Sequence, residues 1–131
     1  MALLEPKCDA REHRRSRAVE EVHSAATFVR AAEIFRALGD PSRLRILKML
    51  VGGPLCVTDI CEQMQDSMPA VSQRLKLLRT ERLVSYRRQG KHVIYSLADQ
   101  HITKLVRNGL AHAVELEKPV KWKRNSATKP S

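Results

Sequence analysis

Aromatic residues are nearly missing from this 131-residue chain: one Trp, two Tyr and two Phe make up 4% of it. A core so poor in rings must be filled by aliphatic side chains, which the 43% hydrophobic content supplies. Cysteine is sparse and odd in number, Cys8, Cys56 and Cys61. That argues against a secreted disulfide framework and leaves metal ligation, redox sensing or burial as their roles. No apolar run reaches the length of a membrane span, and the opening MALLEPKCDAREHRR has no apolar signal core. A cytoplasmic protein without a membrane partner is expected. Acidic residues are also few, 14 against 24 Lys and Arg, for a net charge of +10. On a folded type of composition, that excess points to a polyanion partner, nucleic acid before membrane.

The length suits one domain with tails. Residues 1–18, dense in Arg11, Arg14, Arg15 and Arg17, read as a flexible arm, residues 19–117 as the folded domain, and residues 118–131 as a disordered basic tail. Val22, Ala25, Ala26, Val29, Ala32 and Phe35 fall three or four apart, which predicts a first helix from about Val19 to Leu38. Asp40 followed by Pro41 is a cap and first-turn proline, and Gly52-Gly53-Pro54 stops the helix they begin. Leu55 to Met64 reads as a short helix, and Ser67 with Pro69 starts another that runs to about Arg82. Two short helices joined by a tight turn form a helix-turn-helix. The segment VSYRRQGKHVIYSL alternates around Arg88-Gln89-Gly90-Lys91, the pattern of a β-hairpin wing. Asp99 then caps a last helix from Gln100 to Glu117, with Ile102, Leu105, Val106, Gly109, Leu110 and Val114 as its apolar stripe. The fold class is therefore mainly α with a small β-hairpin, a winged helix-turn-helix.

A helix that reads bases in a major groove needs one buried face and one polar face. Val71, Leu75 and Leu78 supply the first, and Ser72, Gln73, Lys76 and Arg79 the second, with Ser67 at the helix start. Glutamine suits adenine, while serine and lysine suit phosphate or guanine. Between residues 72 and 91, seven Lys and Arg stand against Glu81 alone, among them Arg87, Arg88 and Lys91 of the wing. A charge run alone would read as a solvated face, but here the helix pair, the hairpin and the global charge agree on double-stranded DNA. Tyr86 and Tyr95 sit at alternating strand positions and are expected to pack the sheet.

The last helix also carries Asp99 and His101 at its start and His112 and Glu115 near its end. At about 1.5 Å of rise per residue, His101 and His112 lie roughly 16 Å apart, too far to share an ion. Eleven residues are nevertheless close to three turns, so both pairs project from nearly one side. Two such helices packed antiparallel across a twofold axis would bring Asp99 and His101 of one protomer onto His112 and Glu115 of its mate. Two imidazoles and two carboxylates suit zinc, with cobalt, cadmium or nickel as competitors. A second candidate set is Cys56 and Asp59 at a helix start, onto which Cys8 and His13 of the arm can swing. Cys61 points elsewhere and is expected to be packed, and His23 and His92 have no evident partner.

In DPSRLRIL at 40–47, LCVTDI at 55–60, PAVSQRLKLLR at 69–79 and LVSYRRQGKHVIYSL at 83–97, together with the Asp99, His101, His112 and Glu115 set, the chain resembles the ArsR/SmtB family of winged-helix metalloregulatory repressors, its cyanobacterial-type zinc sensors above all. The resemblance implies a homodimer, joined through first and last helices, whose metal-free form represses an operator beside efflux or metal-sequestration genes and is released by metal. It further implies that the last-helix set is an inter-subunit site, and that Cys56 and Asp59 belong to a thiolate site completed by the arm. Relatives tuned to cadmium or lead carry a cysteine where this chain has Thr58, which favours zinc. The alternative within the same fold is a thiol-redox repressor using Cys8, Cys56 or Cys61. A metallohydrolase is not expected, because four protein ligands leave no open position for a substrate; a small-molecule substrate is likewise not expected.

Overall fold

A computed structural model of the chain describes residues 22–119. Cys8 and His13 of the expected arm, and the tail beyond Pro119, lie outside the described residues. The chain divides into two compact units after Ala32, and the first helix, α1 (Ala25–Leu38), runs across that division. In the first unit, Ser24 caps α1 by accepting a hydrogen bond from the Thr27 amide at 3.2 Å, and His23 meets Phe28 edge to face at 6.2 Å. His23 thus has a ring partner that its sequence position did not suggest. Of the expected apolar face of α1, Val22, Val29 and Phe35 are largely exposed. Only Ala37 on this helix is buried.

The second unit follows the expected order with one change. Helix α2 (Pro41–Val51) begins where the Asp40 carboxylate accepts from the Arg43 amide at 3.0 Å, and it ends at Gly52. The Arg43 guanidinium turns back to donate to the carbonyls of Ala37 and Arg36 at the end of α1, the latter shared with the Gly39 amide. Gly53 follows at φ +129, a conformation that L side chains rarely adopt. Leu55 and Cys56 then form a two-residue strand, β1 (Leu55–Cys56), and not the first turn of a helix. Helix α3 (Val57–Met64) starts only afterwards. The free edge of β3 takes up the backbone of Leu55 and Cys56, and two residues are too few to show an alternating pattern in the sequence.

Helix α4 (Met68–Thr80) is capped by Ser67, whose hydroxyl accepts from the Ala70 amide. It stops before Arg82, which the sequence pattern included; Arg82 turns the chain at φ 60 into β2 (Val84–Gln89). A two-residue turn with Gly90 at φ 63 leads into β3 (His92–Leu97). Both β1 and β2 pair antiparallel with β3, giving the order β1-β3-β2, a three-stranded sheet where the pattern predicted a hairpin. Helix α5 (Gln100–Glu117) closes the unit, begun by Asp99, whose carboxylate accepts from the His101 and Ile102 amides at 2.8 and 3.2 Å.

The core is aliphatic, as the shortage of rings requires. Ile46 and Leu47 of α2, Ile60 of α3, and Val71 and Leu75 with Leu78 of α4 are completely buried, joined by Leu83, Ile102 and Val106. Each fully buried Leu or Ile contributes roughly 1.5–3 kcal/mol over leaving it exposed. This shared core fixes α4, the sheet and the start of α5 as one body. Among the described residues no helix is long and apolar enough to cross a membrane.

Candidate nucleic-acid interface and metal centres

With Val71, Leu75 and Leu78 turned into the core, the opposite side of α4 is left to polar residues. Ser67, Ser72, Gln73, Lys76 and Arg79 are all exposed. The turn before α4 is pinned by Asp66, which accepts from the Ser67 amide and pairs with Arg74. The Arg74 hydrogen bond, then that of the Ser67 amide, hold the Asp66 carboxyl below the usual carboxylate range. Arg74 is thereby engaged at the helix start, while Lys76 and Arg79 continue the outer face.

The wing adds Arg87, Arg88 and Lys91, each exposed. Its base is held to α4 through aromatic contacts: Tyr86 and Tyr95 face each other across the strands at 5.8 Å, and the Arg79 guanidinium lies 4.8 Å over the Tyr86 ring. Tyr95 is buried, but Tyr86 stays 46% exposed beneath its arginine. The result is a positively charged surface running from the outer face of α4 onto the β2–β3 ribbon, the element types that a major groove admits.

The first candidate metal set lies along α5. Asp99 uses Oδ1 for both capping bonds, and His101 Nδ1 lies 3.4 Å from that oxygen. The His101 side chain is 88% exposed. His112 and Glu115 project into solvent near the far end, where Lys118 reaches Glu115 at 3.3 Å. Among the described residues, no group of three or more His, Cys, Asp or Glu converges within one chain closely enough to hold an ion. The donors are hard or borderline nitrogen and oxygen types, accessible and unburied, so they fit a divalent ion only in two halves contributed by two chains.

The second set is brought together by the sheet. Cys56 pairs with Ile94 on β3, and Ile94 in turn pairs with Arg87 on β2. Cross-strand partners share a face, so Cys56, Ile94 and Arg87 form one row, with His92 two residues along β3 on the same side. They border a cavity of about 390 Å³ that Asp59 also lines. Cys56 Sγ stands 3.1 Å from Thr58 Oγ1 and 3.4 Å from His92 Nδ1. The Thr58 hydroxyl and amide, helped by His92, hold the Cys56 thiol below its ordinary range against the opposing pull of desolvation. Sequence spacing missed His92, because its nearness to Cys56 depends on a strand pairing 36 residues apart. Cys61 is turned away from this cavity, its thiol donating to Met68 Sδ at 3.7 Å; burial, then the Asp66 charge, push it up.

Known proteins resemble this chain in sequence and fold. A family model described as "Bacterial regulatory protein, arsR family" matches residues 40–86. The chain is 47% identical over 95 residues to the "Transcriptional repressor SmtB homolog" of Synechocystis sp., an alignment covering 72% of each. It is 37% identical over 86 residues to the "Cadmium resistance transcriptional regulatory protein CadC homolog" of Staphylococcus aureus, covering 65% of this chain and 71% of that one. Among solved structures, the homodimeric winged helix-turn-helix DNA-binding domain Mb0332 of Mycobacterium bovis aligns with a TM-score of 0.68 at 26% identity, over 76% of this chain and 92% of that one. With a relative nearly half identical across most of its length and the same winged fold, the chain belongs to the ArsR/SmtB family of DNA-binding transcriptional regulators, and is not an enzyme.

Proposed function

We propose that the protein is a metal-responsive repressor: a homodimer that holds double-stranded operator DNA when metal-free and releases it when zinc binds between the α5 helices. The observation that carries this reading is the split of exposed donors on α5, Asp99 and His101 at its start and His112 and Glu115 three turns on, beside an apolar stripe that runs out into solvent. Val114 is 54% and Leu116 67% exposed, and α1 likewise exposes Phe28, Val29 and Phe35. Apolar surface of this kind on two helices suits a partner of the same sequence. The SmtB homolog, by name a transcriptional repressor, supports the direction of control.

In this reading Ser72, Gln73, Lys76 and Arg79 meet base edges and nearby phosphates, and Ser67, Arg87, Arg88 and Lys91 meet the backbone. Asp99 has two tasks, capping α5 through Oδ1 and presenting its carboxylate beside His101. His112 and Glu115 approach from the partner's α5. Zinc, when bound, supplies a link between two imidazoles and two carboxylates drawn from both protomers. Closing that shell selects one relative placement of the α5 helices, and with it one spacing of the two α4 helices. A dimer whose α4 spacing no longer matches successive major grooves loses DNA. The coupling is reciprocal, so operator DNA must weaken zinc binding by the same factor. Cobalt, nickel and cadmium compete for the same donors.

The test is a zinc titration of the full-length dimer bound to fluorescent DNA from upstream of its own gene. Anisotropy should fall to the free-DNA value near one zinc per protomer, and chelation should restore it. Binding that zinc leaves unchanged, with release by peroxide instead, would replace this reading by the thiol-redox one through Cys8, Cys56 or Cys61.

A further inference from the structure

We propose that His92, the first residue of β3 beside the wing tip, is a ligand of a second metal site at Cys56, so that an ion there is held jointly by the domain body and the wing. The proposal rests on the reading of Cys56 and Asp59 as metal donors and adds to it a ligand from the DNA-facing ribbon.

The geometry is specific. Tetrahedral zinc with a sulfur at about 2.3 Å and an imidazole nitrogen at about 2.0 Å places those two donors about 3.5 Å apart. Cys56 Sγ and His92 Nδ1 stand 3.4 Å apart. The two donors therefore stand at the right separation, and a turn of the imidazole that aims Nδ1 at a shared ion, with loss of the thiol proton, completes the pair. Asp59 lines the same cavity from the first turn of α3. A lone thiol would mean little, but here a second donor type faces it at 3.4 Å, and Asp59 borders the same cavity without converging on the pair. Cys61 takes no part, being engaged with Met68.

The placement also gives the site a direct route to DNA. Arg87, expected on the phosphate backbone, lies in the same cross-strand row as Cys56 and Ile94. An ion shared by Cys56 on β1 and His92 on β3 ties the wing to the start of α3. The α5 set acts on the spacing between protomers, whereas this one acts within each protomer on the ribbon itself.

The experiment uses the full chain carrying His112→Ala, which disables the α5 set, titrated with Co2+. The expected parent spectrum has a near-ultraviolet thiolate-to-cobalt band and intense visible bands of a tetrahedral site. Adding His92→Ala should weaken Co2+ binding at least about tenfold and shift the visible envelope, while the thiolate band survives at saturating metal. His92 is exposed, so its removal takes nothing from the core. In the zinc-loaded chain, the His92 Nδ1 nitrogen resonance should move to a metal-bound position. Unchanged affinity, envelope and resonance would remove His92 from the site while leaving Cys56 in it. A spectrum with no thiolate band, identical after Cys56→Ser, would overturn the Cys56 reading and this proposal with it.

Discussion

Helices α4 and α5 begin alike and end differently. Each starts at a side-chain cap, Ser67 for α4 and Asp99 for α5, and each carries an apolar stripe. The stripe of α4 is used up within the chain, with Val71, Leu75 and Leu78 all at 0% exposure. On α5 the burial fades along the helix: Ile102 and Val106 are buried, Leu105 and Leu110 are half-buried, and Val114 and Leu116 stand in solvent. A helix finished by its own chain can present its outer face to a ligand as a rigid surface. One that outruns its chain needs a second surface, and on α5 the unfinished half carries His112 and Glu115, one of the two candidate donor pairs. In the proposed function, recognition and response thus fall on two helices with opposite relations to the core.

The comparison can be broken most severely at α4. Leu75→Ala empties a completely buried position and should cost about 2–5 kcal/mol in urea unfolding, abolishing DNA binding through loss of the fold. A cost below about 1 kcal/mol would mean that α4 is not anchored as described. The double variant Val114→Asp, Leu116→Asp is the matching test on α5. It should leave helix content by circular dichroism intact while raising the dimer dissociation constant at least about tenfold in sedimentation equilibrium. Lys76→Ala probes the outer face alone: DNA affinity should fall several-fold and the slope of log affinity against log salt should drop by about one, with stability unchanged.

The smallest effect is expected at Asp66→Asn. The Asp66 carboxyl is depressed in the folded chain by Arg74 and the Ser67 amide, so its contribution is complete above its unfolded value, about 3.9. It is lost as pH falls through the lower folded value. The difference in urea midpoint between the native chain and Asp66→Asn should therefore be small and constant near neutrality and close in acid. A gap that widened in acid would reverse the assigned direction.

Local features were legible in the sequence because they depend on neighbours along the chain. The caps at Asp40, Ser67 and Asp99 and the stop at Gly52 announced α2, α4 and α5, since each satisfies helix ends within a few residues. The inward triad of α4 followed from a 3.6-residue period. What was not legible depends on pairing at a distance. A two-residue strand at Leu55 and Cys56 leaves no periodic trace, so the sheet gained a strand and Cys56 gained His92 as neighbour. Apolar spacing on α1 marked a helix with an apolar face, but spacing cannot say whether that face meets its own chain, and Val29 and Phe35 remain exposed. The two donor sets divide the same way: the α5 stripe is written in helical spacing, whereas the Cys56 cavity exists only once β1, β2 and β3 align.

The central claim is that donors split along α5 are joined across a dimer and that joining them releases DNA. Operator affinity of His112→Ala, measured by anisotropy with and without saturating zinc, tests it most directly. The account predicts metal-free affinity within about twofold of the native chain and no release by zinc. Release at native zinc concentrations by His112→Ala would contradict it.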